Sequence, residues 1–124
     1  MKINVLVLGA SENPQRYSNK AMRSLVAYGH EVFAIGLKPV NVAGVAIQTN
    51  WKLPKPIHTI SLYLGASRQT TVIDNILATN PKRIIFNPGT ENPELEQRAM
   101  QQGITVVHDC TLVMLANNYF ADEG

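Results

Sequence analysis

The chain has 124 residues, 45% apolar and 16% charged, which fits one domain with a packed core and excludes a disordered chain. Eleven basic against nine acidic residues leave a net charge of +2, too small a bias to point to nucleic acid or an acidic membrane surface. The lone cysteine, Cys110, excludes an internal disulfide framework and a Cys-rich zinc site, and fits a reducing, cytoplasmic setting.

Ile3 to Leu8 is a short apolar run without alternation, the pattern of a strand buried on both faces. It leads straight into Gly9-Ala10-Ser11, so the N-terminal residues read as a first strand and not as a secretory signal. No apolar run approaches the ~18 residues of a membrane span. Ser18 to Tyr28 carries Ala21, Met22, Leu25 and Val26 at helical spacing, and Gly29 stands where a helix stops. Glu31 to Gly36 is a second strand. Residues 39 to 56 mix Pro, Gly and Trp51, and read as an irregular crossing segment. Ile57 to Leu64 is a third strand. Gln69 to Thr79 sets Val72, Ile73, Ile76 and Leu77 on one helical face, ended by Asn80-Pro81. Arg83 to Asn87 is a fourth strand. Asn92-Pro93-Glu94 starts a helix: Asn as cap, Pro at the first helical position, Glu at the positive dipole end. That helix carries Leu95, Ala99 and Met100 and closes at Gly103. Ile104 to Val107 is a fifth strand, and Thr111 to Asn118 a short last helix.

Strand–helix alternation with buried strands predicts a three-layer α/β/α domain over residues 1–124, with a five-stranded parallel sheet in the order 3-2-1-4-5. The order reverses between the first and fourth strands, which predicts a crevice at their C-terminal ends. Gly9–Ser18, Lys38, Tyr63–Ser67, Asn87–Glu91 and His108–Cys110 all fall at that edge.

The first turn is Gly9-Ala10-Ser11-Glu12-Asn13-Pro14-Gln15-Arg16-Tyr17-Ser18. Gly9 lets the backbone approach a ligand, and the helix behind it turns free N–H groups and a positive dipole toward the crevice, as a phosphate requires. Ser11, Asn13 and Ser18 add hydrogen-bonding groups and Arg16 a charge; the plainer reading is that Gly9 makes a tight turn and Ser18 caps a helix. The three-glycine dinucleotide fingerprint is absent, since Ala10-Ser11 and Pro14 stand in its place. The second strand ends Gly36-Leu37-Lys38, without the acid that holds the ribose of NAD. Lys38 suits a phosphorylated ribose, as in NADP or coenzyme A; taken alone it is a solvated surface lysine.

The segments GASENPQRYSNKAMRSLVAYGHEV at Gly9–Val32, Lys38, and GTENPELEQRAMQQGITVVHDC at Gly89–Cys110 resemble the small stand-alone CoA-binding proteins. These share the CoA-binding fold of the succinyl-CoA synthetase α subunit. The resemblance spans nearly the whole chain and implies a Rossmann-like domain that holds the ADP portion of coenzyme A or an acyl-CoA. It would set Gly9, Ala10 and Ser11 at the pyrophosphate, Asn13, Arg16, Tyr17 and Ser18 along the turn, and Lys38 at the adenosine phosphate. Asn87 and Gly89 would lie along the pantetheine arm. The family often has Asn-Pro-Lys after its second strand and an aromatic and Gln before the glycine at the fourth; here stand Gly36-Leu37-Lys38 and Ile85, Asn87.

Catalytic machinery is hard to find. His30, His58 and His108 are dispersed and show no metal-ligand spacing. Neighbouring residues in an extended segment point to alternate sides, so His108-Asp109-Cys110 does not by itself make a Cys–His pair. Cys110 reads as a small buried hydrophobe or as a thiol near the thiol end of bound coenzyme A, and Glu91 as a dipole-serving carboxylate or an acid. The phosphoryl-accepting His of succinyl-CoA synthetase belongs to a second domain for which this chain has no room. The reading is therefore a non-catalytic carrier, sensor or subunit with a small-molecule nucleotide ligand. Two alternatives stand beside it: a small NADP-linked or acyl-CoA enzyme using Cys110 or His108, and an interaction module with a vestigial nucleotide site.

Overall fold

The computed structural model describes residues 2–121; residues 1 and 122–124 of the expected domain lie outside the described part. The elements run β1 (Asn4–Ala10), α1 (Tyr17–Ala27), β2 (Glu31–Gly36), β3 (Asn41–Val42), β4 (Val45–Gln48), β5 (Thr59–Leu62), α2 (Ala66–Gln69), α3 (Ile73–Thr79), β6 (Arg83–Phe86), α4 (Pro93–Gln101), β7 (Thr105–His108) and α5 (Thr111–Ala116). They form a three-layer Rossmann-like α/β fold around a mostly parallel sheet.

Alternation along β1 builds the layers. Val5 and Val7 face one core with Met22 and Leu25 of α1 and Met114 and Leu115 of α5. Leu6 and Leu8 face the other, with Ile73, Ile76 and Leu77 of α3 and Leu95 and Ala99 of α4. A central strand buried on both faces needs no polar positions, which explains the unbroken apolar run. Each large aliphatic side chain so buried contributes roughly 1.5–3 kcal/mol.

The sheet has seven strands in the order β3-β4-β2-β1-β5-β6-β7, which corrects the expected five strands and their order 3-2-1-4-5. The strand read as third is β5, and it pairs parallel with both β1 and β6. The place beyond β2 belongs to β4, which pairs parallel with β2 and antiparallel with β3. Both new strands lie inside the segment read as irregular. Ala43 and Gly44 join them with φ of 52° and 82°, the left-handed pair of a tight hairpin turn. Val42, Val45 and Ile47 are buried, so the hairpin anchors to the same core as β1. The sheet therefore reverses between β1 and β5, not between β1 and the Arg83 strand.

The expected Gln69–Thr79 helix is broken in two. Thr70, Thr71 and Val72 separate α2 from α3, and this β-branched run is poor in helix propensity. Asn80 ends α3 in the left-handed conformation, with φ 50°. Asn92 does precede α4 with Pro93 in its first turn, yet no side chain caps by way of Asn92. Instead Glu96 reaches back and its Oε2 accepts from the Asn92 N–H at 3.0 Å. Ser18 lies inside α1 and is buried; the residue before the helix is Arg16.

Candidate functional site

At the C-terminal edge of β1, β2, β5 and β6 lies a crevice of about 1340 Å³. Its volume exceeds the ~300–1,000 Å³ typical of sites for drug-sized ligands. All ten residues singled out from the sequence line it: Gly9, Ala10, Ser11, Asn13, Arg16, Tyr17, Ser18, Lys38, Asn87 and Gly89. A smaller depression, about 500 Å³, lies near Trp51–Ile57 and the end of α3 and gathers only Lys55 as a charged group.

The floor begins at Gly9. It sits inside β1, not after it, and the pairing with β2 slips between Leu8 and Ala10. Its φ is +92°, and a Cβ there would stand 3.1 Å from the Tyr63 backbone. Only glycine holds this bulge without strain. Beyond it the turn orders itself. Ser11 Oγ accepts from the Asn13 N–H at 3.0 Å, and Asn13 Oδ1 accepts from the Gln15 N–H at 2.9 Å. Asn19, fully buried in α1, donates from Nδ2 to the Ser11 carbonyl at 3.0 Å. No side chain caps α1 and its first turn carries no acid, so the helix offers open N–H groups and its positive end to the crevice.

The wall at the end of β2 lies hard against this turn. A Cβ at Gly36 would run into the Ala10 carbonyl oxygen. The close approach carries Lys38 to Glu12, and Lys38 Nζ sits 3.2 Å from Glu12 Oε1. Arg16 and Arg68 line the crevice as well.

Asn87 has a different place from a free ligand-facing amide. It is buried, and its Nδ2 donates to Ser61 Oγ at 3.0 Å and to the Leu62 carbonyl at 2.9 Å. Its Oδ1 accepts from the Thr111 N–H at 2.8 Å, which ties the exits of β5 and β6 to the start of α5. Gly89 donates its N–H to Glu91 Oε1 at 3.0 Å, so Glu91 closes its own turn. Gln69 fastens the same region from the other side. Its Nε2 reaches the Leu64 and Thr90 carbonyls, both at 2.8 Å, and its Oε1 accepts from Asn92 Nδ2 at 2.8 Å.

Between these braces Tyr63 faces the crevice. Its hydroxyl oxygen is buried without a hydrogen-bond partner among the described residues. Burial pushes the phenol up to about 12, and the nearby Ser61 and Thr111 hydroxyls offset this only in part.

Cys110 is half-buried in the crevice lining. His108 is not part of that lining: its Nε2 lies 2.8 Å from Glu96 Oε1, and its ring stacks on Phe86. The two do not share a pocket. His30 is buried at the opposite end of the sheet, where its Nδ1 accepts the Ile3 N–H at 3.2 Å. Among the described residues no group of three or more His, Cys, Asp or Glu stands together to hold a metal ion, and no helix is long and apolar enough to cross a membrane.

Sequence reasoning passed over Glu12, Asn19 and Gln69. Glu12 was visible as an acid inside a turn otherwise suited to anions. Asn19 and Gln69 gave no signal, because a buried amide in a helix looks in sequence like a solvated one.

The profile of the CoA binding domain family matches residues 4–116. The chain belongs to the CoA binding domain family. A crystal structure of an uncharacterized protein resembles this CoA-binding-family chain at TM-score 0.92 and 38% identity, over 97% of this chain and 99% of the other. A Thermus thermophilus protein superposes at TM-score 0.86 and 23% identity, over 95% and 90% of the two chains. A dinucleotide-forming acetyl-coenzyme A synthetase from Ca. Korarchaeum cryptofilum, solved with phosphate and ADP, superposes at TM-score 0.71 and 22% identity. That match covers 86% of this chain and 25% of the synthetase. At these identities the last two matches speak for the fold alone. No curated protein matches the chain significantly.

Proposed function

We propose that the protein acts as a single domain that binds coenzyme A or an acyl-CoA through the ADP moiety, as a non-catalytic carrier, sensor or subunit in a reducing, cytoplasmic setting. One observation carries the reading in a member of this family: the glycine bulge and the uncapped α1 face a crevice with Arg16, Lys38 and Arg68 around it. The pyrophosphate takes the Gly9–Ser11 backbone and the open N–H groups of α1. The turn from Asn13 to Ser18 closes on it, with Arg16 supplying charge. Lys38 meets the 3′-phosphate of the adenosine. The pantetheine arm runs past Tyr63 and Gly89 toward Cys110, and Asn87 positions that stretch through its three internal hydrogen bonds.

The absence of an acid at the Gly36–Lys38 exit of β2 disfavours NAD. The enzyme alternative would use Cys110 or His108, and the engagement of His108 by Glu96, outside the crevice lining, weighs against its His108 form. Amide chemical-shift mapping with coenzyme A tests the reading. Shifts should concentrate at Gly9–Ser18, Gly36–Lys38 and Tyr63–Gly65. Shifts confined to the depression around Trp51–Ile57, or none at millimolar coenzyme A, would contradict it.

A further inference from the structure

The Lys38–Glu12 ion pair lies on the wall of the crevice that the proposed ligand enters. Glu12 comes from the turn after β1 and Lys38 from the exit of β2, and both line the crevice. The Gly36–Ala10 contact brings the two backbones close together, which puts the two side chains within reach of each other. The side chains stay 73% and 48% exposed, which leaves the pair breakable.

We propose that Glu12 is a specificity-determining residue: it competes with the ligand's ribose phosphate for Lys38. This inference rests on the reading that Lys38 meets that phosphate. An incoming phosphate takes over Lys38 only by displacing the Glu12 carboxylate. The displaced carboxylate stays in the turn as a like charge beside the bound anion. Small anions that gain nothing else in the crevice lose this exchange. A ligand already anchored by its pyrophosphate and arm wins it. Glu12 thereby sets how strongly coenzyme A is preferred over dephospho-CoA, narrowing that preference because only the ribose phosphate has to displace it.

The test is calorimetric titration with coenzyme A and dephospho-CoA on wild type, Glu12→Gln, Lys38→Ala and the double variant. Glu12→Gln should tighten coenzyme A about threefold, the size of an exposed ion pair, and dephospho-CoA by less. On the Lys38→Ala background, Glu12→Gln should change both ligands equally. If Glu12→Gln tightens both ligands equally with Lys38 present, or tightens neither, the competition is refuted, while a selective loss of coenzyme A in Lys38→Ala still supports the ligand reading. If Lys38→Ala weakens both ligands alike, Lys38 does not meet the ribose phosphate and the inference falls with that assignment.

Discussion

Asn87 shows how one side chain joins fold to site. Its amide serves three partners on two strands' exits and one helix start. Removing it leaves the Thr111 N–H and the Leu62 carbonyl buried with a bond lost. Asn87→Ala should therefore lower stability by about 3 kcal/mol, read from urea unfolding. A loss below about 1 kcal/mol would mean that the network carries little weight. His30 makes a second residue-level case. Its Nδ1 must be unprotonated to accept the Ile3 N–H, and burial first, then nearby positive charge including Arg83, hold it below its ordinary value of 6.5. The unfolded chain thus binds the proton more readily than the folded one. Stability should be full above pH 6.5, fall as pH drops from 6.5 toward the lowered folded value, and level off below it. Melting temperatures from pH 8 to about pH 5 check this, with His30→Gln as the comparison. If the variant keeps the whole wild-type slope, His30 is not its source.

Among the elements, the ones legible in sequence are those whose pattern is long or punctuated. β1 declared itself by its apolar run and α4 by Asn92-Pro93. The β3–β4 hairpin escaped because its strands have two and four residues and its turn, Ala43-Gly44, lacks the usual Asn-Gly signal. That omission displaced β5 in the expected sheet order. The α2–α3 break escaped because helical spacing continues through Thr70–Val72 while propensity does not. The first turn of the crevice was legible, since a glycine bulge followed by a helix start left its mark in consecutive residues. Its braces did not, because Asn87 and Gln69 act through partners distant in sequence. Ala43 carries a left-handed strain that an Asn relieves, giving the favoured Asn-Gly turn. Ala43→Asn should raise stability by about 0.5–1 kcal/mol in urea unfolding. A drop would show that the turn is held by its surroundings and not by its own conformation.

On the scale of the whole molecule, the sheet order sets the chemistry. Reversal between β1 and β5 opens one edge, and the glycine bulge, the uncapped helix and the basic side chains all converge there. The opposite edge buries His30 and Arg83 against Phe120 and serves packing. Family membership and this convergence both point to a coenzyme A ligand. Thermal melting with coenzyme A, acetyl-CoA, NADP and NAD in parallel tests that claim most directly. Coenzyme A or acetyl-CoA at 100 times its dissociation constant should add about 2.7 kcal/mol of stability, and NAD should add none at the same concentration. Stabilisation by NAD with none from coenzyme A would contradict the account.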